Sequence, residues 1–372
     1  MRKDTTKARV IAYYLPQYHP IPENDKYWGK GFTEWTNVTK AKSLFPGHYQ
    51  PKLPADLGFY DLRLPIIREQ QAELARHAGI EGFCYWHYWF GGGKMVLNEI
   101  LEDVLQTGTP DFPFCFGWAN HSWSNKTWTK GKAFKNDTMI FEQTYPGEQD
   151  YLDHFNYCLP FFKDNRYIKV DGKPLFVIYS PSNMPDVDKF IAKWRELALK
   201  NGLNGIHFVG LRLTRKCLSE ESLLAKGFDA INNSNLNMWK AECNTMHGEL
   251  IKRALTFLSM KFNMPFQLYN YKHIIKWLCN DHDYKENIYP TILPGYDRTA
   301  RSGNKAQIYY NNKPQYFAKH VDDVLEHTKF KDYEHRIVFL KSWNEWGEGN
   351  YIEPDQKYGR KFLDILKDKV LG

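Results

Sequence analysis

Eight short runs rich in β-branched and aromatic residues recur along this chain, and stretches of helical character separate them. The runs are Arg9–Tyr14, Gly82–Tyr88, Phe112–Trp118, Pro174–Tyr179, Ile206–Leu211, Phe228–Ile231, Tyr289–Leu293 and Arg336–Trp343. Most lack alternation of apolar with polar residues. Continuous Val, Ile and Phe are what strands need when both faces of a parallel sheet are covered. Helical patterns lie between them, at Pro65–Ala78, Val96–Gln106, Gln149–Phe162, Asp186–Lys200, Ser219–Lys226, Gln315–Thr328 and Arg360–Lys369. The first of these opens on Pro65 and is followed by Gly79, a natural start and stop. Strand then helix, repeated eight times, predicts a single (β/α)₈ barrel of α/β class.

Two segments do not fit the repeat. Gln17–Leu64 is rich in Trp, Tyr, Pro and Gly without a long helical pattern, which predicts an ordered loop insertion after the first strand, over one barrel end. Residues 232–288, after the sixth strand, read as a helical insertion that is amphipathic around Leu250–Cys279. Both sit inside one domain, 1–372.

Several function classes drop out. No GxGxxG follows the first run, which argues against a dinucleotide fold. Fifty cationic against 43 anionic residues, a net charge of +7, is a mild and scattered excess rather than a nucleic-acid-binding stripe. Six cysteines, at 84, 115, 158, 217, 243 and 279, show no CxxC or zinc-knuckle spacing; Cys84 and Cys115 read as small core residues. No cofactor and no metal are expected. The basic N-terminus has an apolar run broken by Pro16, so it reads as neither signal peptide nor transmembrane span. A cytoplasmic setting is the expectation.

Aromatic residues make up 16% of the chain. In such barrels chemistry collects at the C-terminal ends of the strands. Reading those ends assigns as substrate-binding Tyr14, Gln17 and His19, then Trp86, His87 and Tyr88, then Trp118, Asn120, Tyr179, Asn232 and Asp297, and finally Trp343 and Asn344. Trp28, Glu34, Trp35 and His48 join them from the first insertion. Hydrogen-bonding groups beside aromatic plates suit a sugar, whose C–H faces stack on rings. The histidines His19, His48, His87 and His121 lack HxH or HExxH spacing and read as hydrogen bonders in a polar cleft. Asp297 and Arg301 read as residues that pair or shape the loop after the seventh strand, with ligand binding as the alternative.

The sharpest signal follows the eighth strand, in Ser342-Trp343-Asn344-Glu345-Trp346-Gly347-Glu348. Two carboxylates, Glu345 and Glu348, fall between or beside Trp residues at the expected catalytic end. Glycosidases use two carboxyls beside one bond, one giving a proton and the other acting as base or nucleophile.

The same segment, SWNEWGEGNYIEPD, resembles the signature of the WbsX-like family within the glycoside hydrolase family 99-like group. YYLPQYHPIPENDKYWGKGFTEWTNV, GHYQPKLPADLGFYDLR, GFCYWHYWFGGGKMVLNEIL, FPFCFGWANHSW and LPGYDRTARSG match it too, in order. The resemblance implies a (β/α)₈ barrel and a place in bacterial surface-polysaccharide or lipopolysaccharide biosynthesis. Better-understood relatives are endo-acting α-mannosidases whose motif resembles N-E-W-H-E-G. By that match Glu345 is the base that deprotonates the sugar 2-hydroxyl and Glu348 the acid/base at the leaving oxygen. Such enzymes retain configuration through a 1,2-anhydro sugar. This chain departs at Gly347, where the motif has His.

The reading is therefore a retaining, endo-acting glycosidase with a glycan substrate. Its rivals are a glycosyltransferase, for which Asp281-His282-Asp283 would be the metal-binding DxD, and a non-catalytic glycan-binding assembly protein. No nucleic-acid partner is expected. Peripheral membrane contact through the helical insertion and contact with other polysaccharide-assembly proteins stay open.

Overall fold

The computed structural model describes residues 6–124, 139–212, 217–235, 265 and 267–372. Eight parallel strands close into a barrel: β1 (Arg9–Tyr14), β2 (Ile80–Trp89), β3 (Phe114–Trp118), β4 (Lys173–Ile178), β5 (His207–Arg212), β6 (Ala230–Asn233), β7 (Ile288–Ile292) and β8 (Ile337–Leu340). Each strand pairs with the next, and β1 closes the ring on β8 with Val10 opposite Val338 and Ala12 opposite Leu340. All eight apolar runs are strands, and their near-complete burial explains why they lack alternation.

The outer layer is α1 (Pro65–His77), α2 (Glu99–Thr107), α3 (Glu148–Lys163), α4 (Val187–Lys200), α5 (Glu220–Ala225), α6 (Pro314–Thr328) and α7 (Lys361–Leu371). Proline stands in the first turn of α1, and the chain turns off after it at Gly79, where φ is 80°. That left-handed backbone is open to glycine at little cost.

Aromatic and amide side chains fill the barrel. Tyr13 stacks on Trp86 at 4.7 Å between ring centroids and on Phe339 at 5.0 Å. Its hydroxyl donates to Asn232 Oδ1 at 2.8 Å, and Asn232 Nδ2 donates to the Tyr289 carbonyl and Thr291 Oγ1 at 2.7 and 2.9 Å. Gly117 on β3 makes room for the Trp86 ring, since a Cβ there would lie 2.9 Å from it. At the N-terminal end of the strands Arg9 is held by Glu81 and Glu334 at 2.8 and 3.2 Å.

The first insertion covers the C-terminal mouth as expected, and it carries two short helices, Pro22–Trp28 and Glu34–Val38. Of the second insertion, residues 236–264 and 266 lie outside the described residues, including most of the amphipathic stretch. Its described end forms a strand, Gln267–Asn270, parallel to Gln307–Tyr310, followed by short helical turns. Among the described residues no helix is long and apolar enough to cross a membrane.

Candidate active site

The mouth holds a cleft of about 210 Å³, lined by Gln17, Trp28, Trp86, Tyr88, His121, Trp123 and Tyr179 together with Arg301, Lys341, Glu345 and Glu348. Every element contributes for a local reason. Residues 344–351 fold back as a tight antiparallel pair around the turn Trp346–Glu348, which turns both glutamates toward the barrel axis. Asn344 anchors that turn by accepting from the Leu15 amide at 2.8 Å and donating to its carbonyl at 3.0 Å. Trp346 stacks on Tyr351 at 3.7 Å and donates its indole N–H to Glu353 at 2.6 Å. Glu353 also accepts from Tyr60 at 2.9 Å and Gln71 at 2.7 Å, and burial lifts its carboxyl to about 7.

Three carboxylates converge on one guanidinium. Arg301 Nη1 meets Glu348 at 2.7 Å, while Nη2 meets Glu34 at 2.6 Å and Glu345 at 3.1 Å. Arg298 adds a second cation 3.5 Å from the same Glu348 oxygen. Of the two roles expected for Asp297 and Arg301, pairing or shaping the loop, Asp297 takes the second, accepting from the Thr299 amide at 3.0 Å. Its other carboxylate oxygen accepts from His48 at 2.9 Å and Gln50 at 2.8 Å, while Arg301 goes to the three glutamates.

The two glutamates have unlike proton affinities. Burial lifts Glu345 to about 7; Arg301 opposes this only in part, and the charges of Glu348 and Glu34 add to it. Burial acts on Glu348 too, but Arg301 and Arg298 outweigh it and hold that carboxyl below the usual range. Of the two, Glu345 is therefore the carboxyl with the higher proton affinity.

Gly347 is required by this cluster. A Cβ there would fall well inside van der Waals distance of Glu34 Oε2 and 2.9 Å from Arg301 Nε. Where the resembling motif has a histidine, this chain fills the neighbouring space with the Glu34 carboxylate.

The pleat separates the remaining residues. Side chains of successive strand residues point to opposite faces, so Trp86 and Tyr88 enter the cleft while His87 faces α3, 2.9 Å from His154. Tyr14 likewise turns outward and donates to Gln71 of α1 at 2.7 Å. Trp118 is buried among His154 and Phe190. Asn120 ties the ends of β3 and β4 together through Ser180 at 2.7 and 2.9 Å. Asn232 lies inside the barrel, Trp343 packs on Phe83, and Trp35 sits behind Trp346. His19 is buried with its ring on the side of Glu99 and Asp61. None of these eight lines the cleft. His48 and Asp297 line a second cavity of about 360 Å³, with Tyr49, Lys52, Tyr351 and Tyr358. It is walled off where the Asp297 amide donates to the Glu348 carbonyl at 2.6 Å.

Sequence reading missed Lys341, Arg298 and the triple role of Arg301 as site groups. LPGYDRTARSG, already part of the resemblance, contains both arginines and was the available signal. Asp283 of the DxD is fully buried and accepts from the Asn280 amide at 2.9 Å, and burial lifts it to about 6. His87, His154 and Cys158 offer ligand atoms within 4.8 Å of one another. The two imidazoles already satisfy each other there, and burial holds His87 near its neutral form, down to about 3.

A family model described as Glycosyltransferase WbsX matches residues 10–366. Two proteins named WxcX, from two strains of Xanthomonas campestris pv. campestris, are 32% and 33% identical over 368 and 374 residues, taking in 99% of this chain. The chain spans about half, 50%, of the length of these curated relatives. A GH99 endo-alpha-mannosidase from Bacteroides thetaiotaomicron is similar in fold, with a TM-score of 0.58, 15% identity and coverage of 97% of this chain and 95% of that one. A structure titled glycoside hydrolase-like protein gives 0.59, 18%, 97% and 93%. At these identities the likeness establishes the (β/α)₈ barrel.

Proposed function

Since the chain belongs to the WbsX family, we propose that it is a glycosidase, retaining and endo-acting, on a bacterial surface polysaccharide or its intermediate. The observation that carries this reading is the placement of Glu345 and Glu348 in one cleft walled by Trp28, Trp86, Tyr88, Trp123 and Tyr179. Carboxyls do the proton transfers and rings hold the sugar. Residues 1–372 are taken as one catalytic domain, with 232–288 as an insertion in it.

In the first step Glu345 takes the proton of the 2-hydroxyl, whose oxygen attacks C1. The C1–O bond to the leaving sugar breaks, and Glu348 gives its proton to that oxygen. In the second step Glu348 takes a proton from water, which attacks C1. The C1–O2 bond opens, and Glu345 returns its proton to O2. A base needs a proton affinity near the working pH, which suits Glu345. In the free site the higher proton affinity lies on Glu345, whereas the cycle starts with the proton on Glu348. A hydroxyl entering between Glu348 and Arg301 would weaken the ion pair that keeps Glu348 ionised and favour the working arrangement.

The family's name favours a second reading, sugar transfer. The inward-turned Asp283 weighs against its DxD form. The deciding experiment incubates purified protein with polysaccharide from its source strain, with and without nucleotide sugars and Mn²⁺, and identifies products by mass spectrometry. Internal cleavage without a nucleotide sugar supports the proposal. Chain extension that needs a nucleotide sugar overturns it.

A further inference from the structure

Glu34 is fully buried at the start of its short helix, far in sequence from Glu345 and Glu348. Oε1 lies 2.6 Å from Arg301 Nη2, closer than Glu345, which shares that nitrogen at 3.1 Å. Its Oε2 is sealed from solvent with no hydrogen-bond partner. The notch that receives this oxygen exists only because residue 347 is glycine. Burial pushes this carboxyl up, and only Arg301, with Arg298 further off, draws it back down; an acid buried so needs a role, since an uncompensated buried charge is expensive.

We propose that Glu34 is a positioning residue of the carboxylate cluster, which loosens the hold of Arg301 on Glu345 by competing with it for one nitrogen of that guanidinium. This rests on the reading that Glu345 and Glu348 exchange protons during cleavage. The groups facing Glu345 are few enough to weigh. Arg301 and the more distant Lys341 attract its charge; Glu348 and Glu34 repel it. The phenols of Tyr18, Tyr88 and Tyr179 also face the cluster, and burial, reinforced by the carboxylates, raises all three so that they stay neutral. Glu348 has Arg301 Nη1 to itself and the nearest approach of Arg298, which also acts from further off on Glu345 and Glu34. Near Glu345 the better hydrogen bond of Nη2 goes to Glu34. Two guanidinium groups thus face three carboxylates, and the catalytic carboxylate left with the weaker share of them has the higher proton affinity. Glu34 decides that this is Glu345. With Arg301 free to turn onto Glu345, the proton affinities of the two catalytic acids would draw together.

Carboxylate titration by ¹³C NMR on the full chain reads this without any substrate, with signals assigned through Glu345→Gln and Glu348→Gln. Glu34→Gln removes the competing charge, so the midpoint of Glu345 should fall by about one pH unit, tenfold in proton affinity. Glu34→Asp, which keeps the charge, should restore most of that midpoint. Should Glu34→Gln fail to fold, Glu34→Ala gives a second reading: it removes the same charge without burying an amide, and the Glu345 midpoint should fall in the same direction. A Glu345 midpoint unmoved in whichever variant folds would overturn the proposal and reduce Glu34 to a loop strut. Once a substrate is in hand, Glu34→Gln should shift the alkaline limb of kcat/KM to lower pH. A strut would lower turnover equally at every pH. Absence of cleavage by the unmodified protein would sink the functional reading yet leave the titration result standing.

Discussion

Neighbouring residues of one strand open onto two buried groups of titratable side chains that handle charge in opposite ways. From β2, Trp86 and Tyr88 face a mouth where three glutamates crowd around Arg301 and Arg298. Between them His87 faces the β2–α3 layer, where it and His154 share a 2.9 Å hydrogen bond among stacked aromatic rings. There burial forces both imidazoles toward neutrality and no counter-ion is needed. The histidine pair is the low-energy answer to burying polar groups. Keeping ions in the mouth is the costly answer, and it persists where a proton must be given and taken.

The largest effect should separate the two groups by activity. On a cleavable substrate, Glu345→Gln and Glu348→Gln should each lower kcat about 10²–10⁴-fold. An activated aryl leaving group, which needs little protonation, should partly rescue only Glu348→Gln. A 2-deoxy substrate should resist cleavage. Near-wild-type turnover by both variants would end the assignment of roles.

Next in size is the loss of the shared cation. Arg301→Gln strands three carboxylates and should cost about 3–5 kcal/mol in urea unfolding at pH 8. At pH 5 the loss should shrink, because carboxylates of raised proton affinity can protonate. A loss of equal size at both pH values would show that Arg301 serves packing and not charge.

A smaller effect is expected in the other layer. His87→Phe keeps a ring between Phe116 and Tyr157 but leaves His154 Nε2 unpaired, a cost of about 1–3 kcal/mol. Its kcat/KM should match the wild type; a tenfold drop would erase the contrast between the groups.

The subtlest contrast is the sign of the pH slope of stability. Folded Glu345 holds its proton to about 7, above the unfolded value of roughly 4.3. The unfolded chain ionises first, so stability from this group is lost as pH rises between those values. Folded His87 resists protonation down to about 3, below the unfolded value of roughly 6.5. The unfolded chain binds protons first, so stability is lost as pH falls through that window. Melting temperatures between pH 5 and 7 should therefore shift in opposite directions when Glu345→Gln and His87→Phe each remove one slope. A shift of the same sign in both would refute the opposed roles.

The order of elements was legible in the chain because each strand carries its own composition. RVIAYY or RIVFL needs no partner to read as buried strand, and Pro65 with Gly79 marks a helix locally. Glu345 and Glu348 were legible as a pair because one short turn holds both. Which strand residues enter the cleft was not. Tyr14 and His87 turn outward while Trp86 and Tyr88 turn inward, since the pleat alternates faces and only closure of the barrel decides which face is inside. Nor could adjacency along the chain reveal that Arg301 leaves Asp297 for Glu34, 267 residues away. Local propensity acts over a few residues and writes itself into the sequence. The charge balance of a buried site depends on which distant groups the fold brings within hydrogen-bonding distance, and only the tertiary structure decides that.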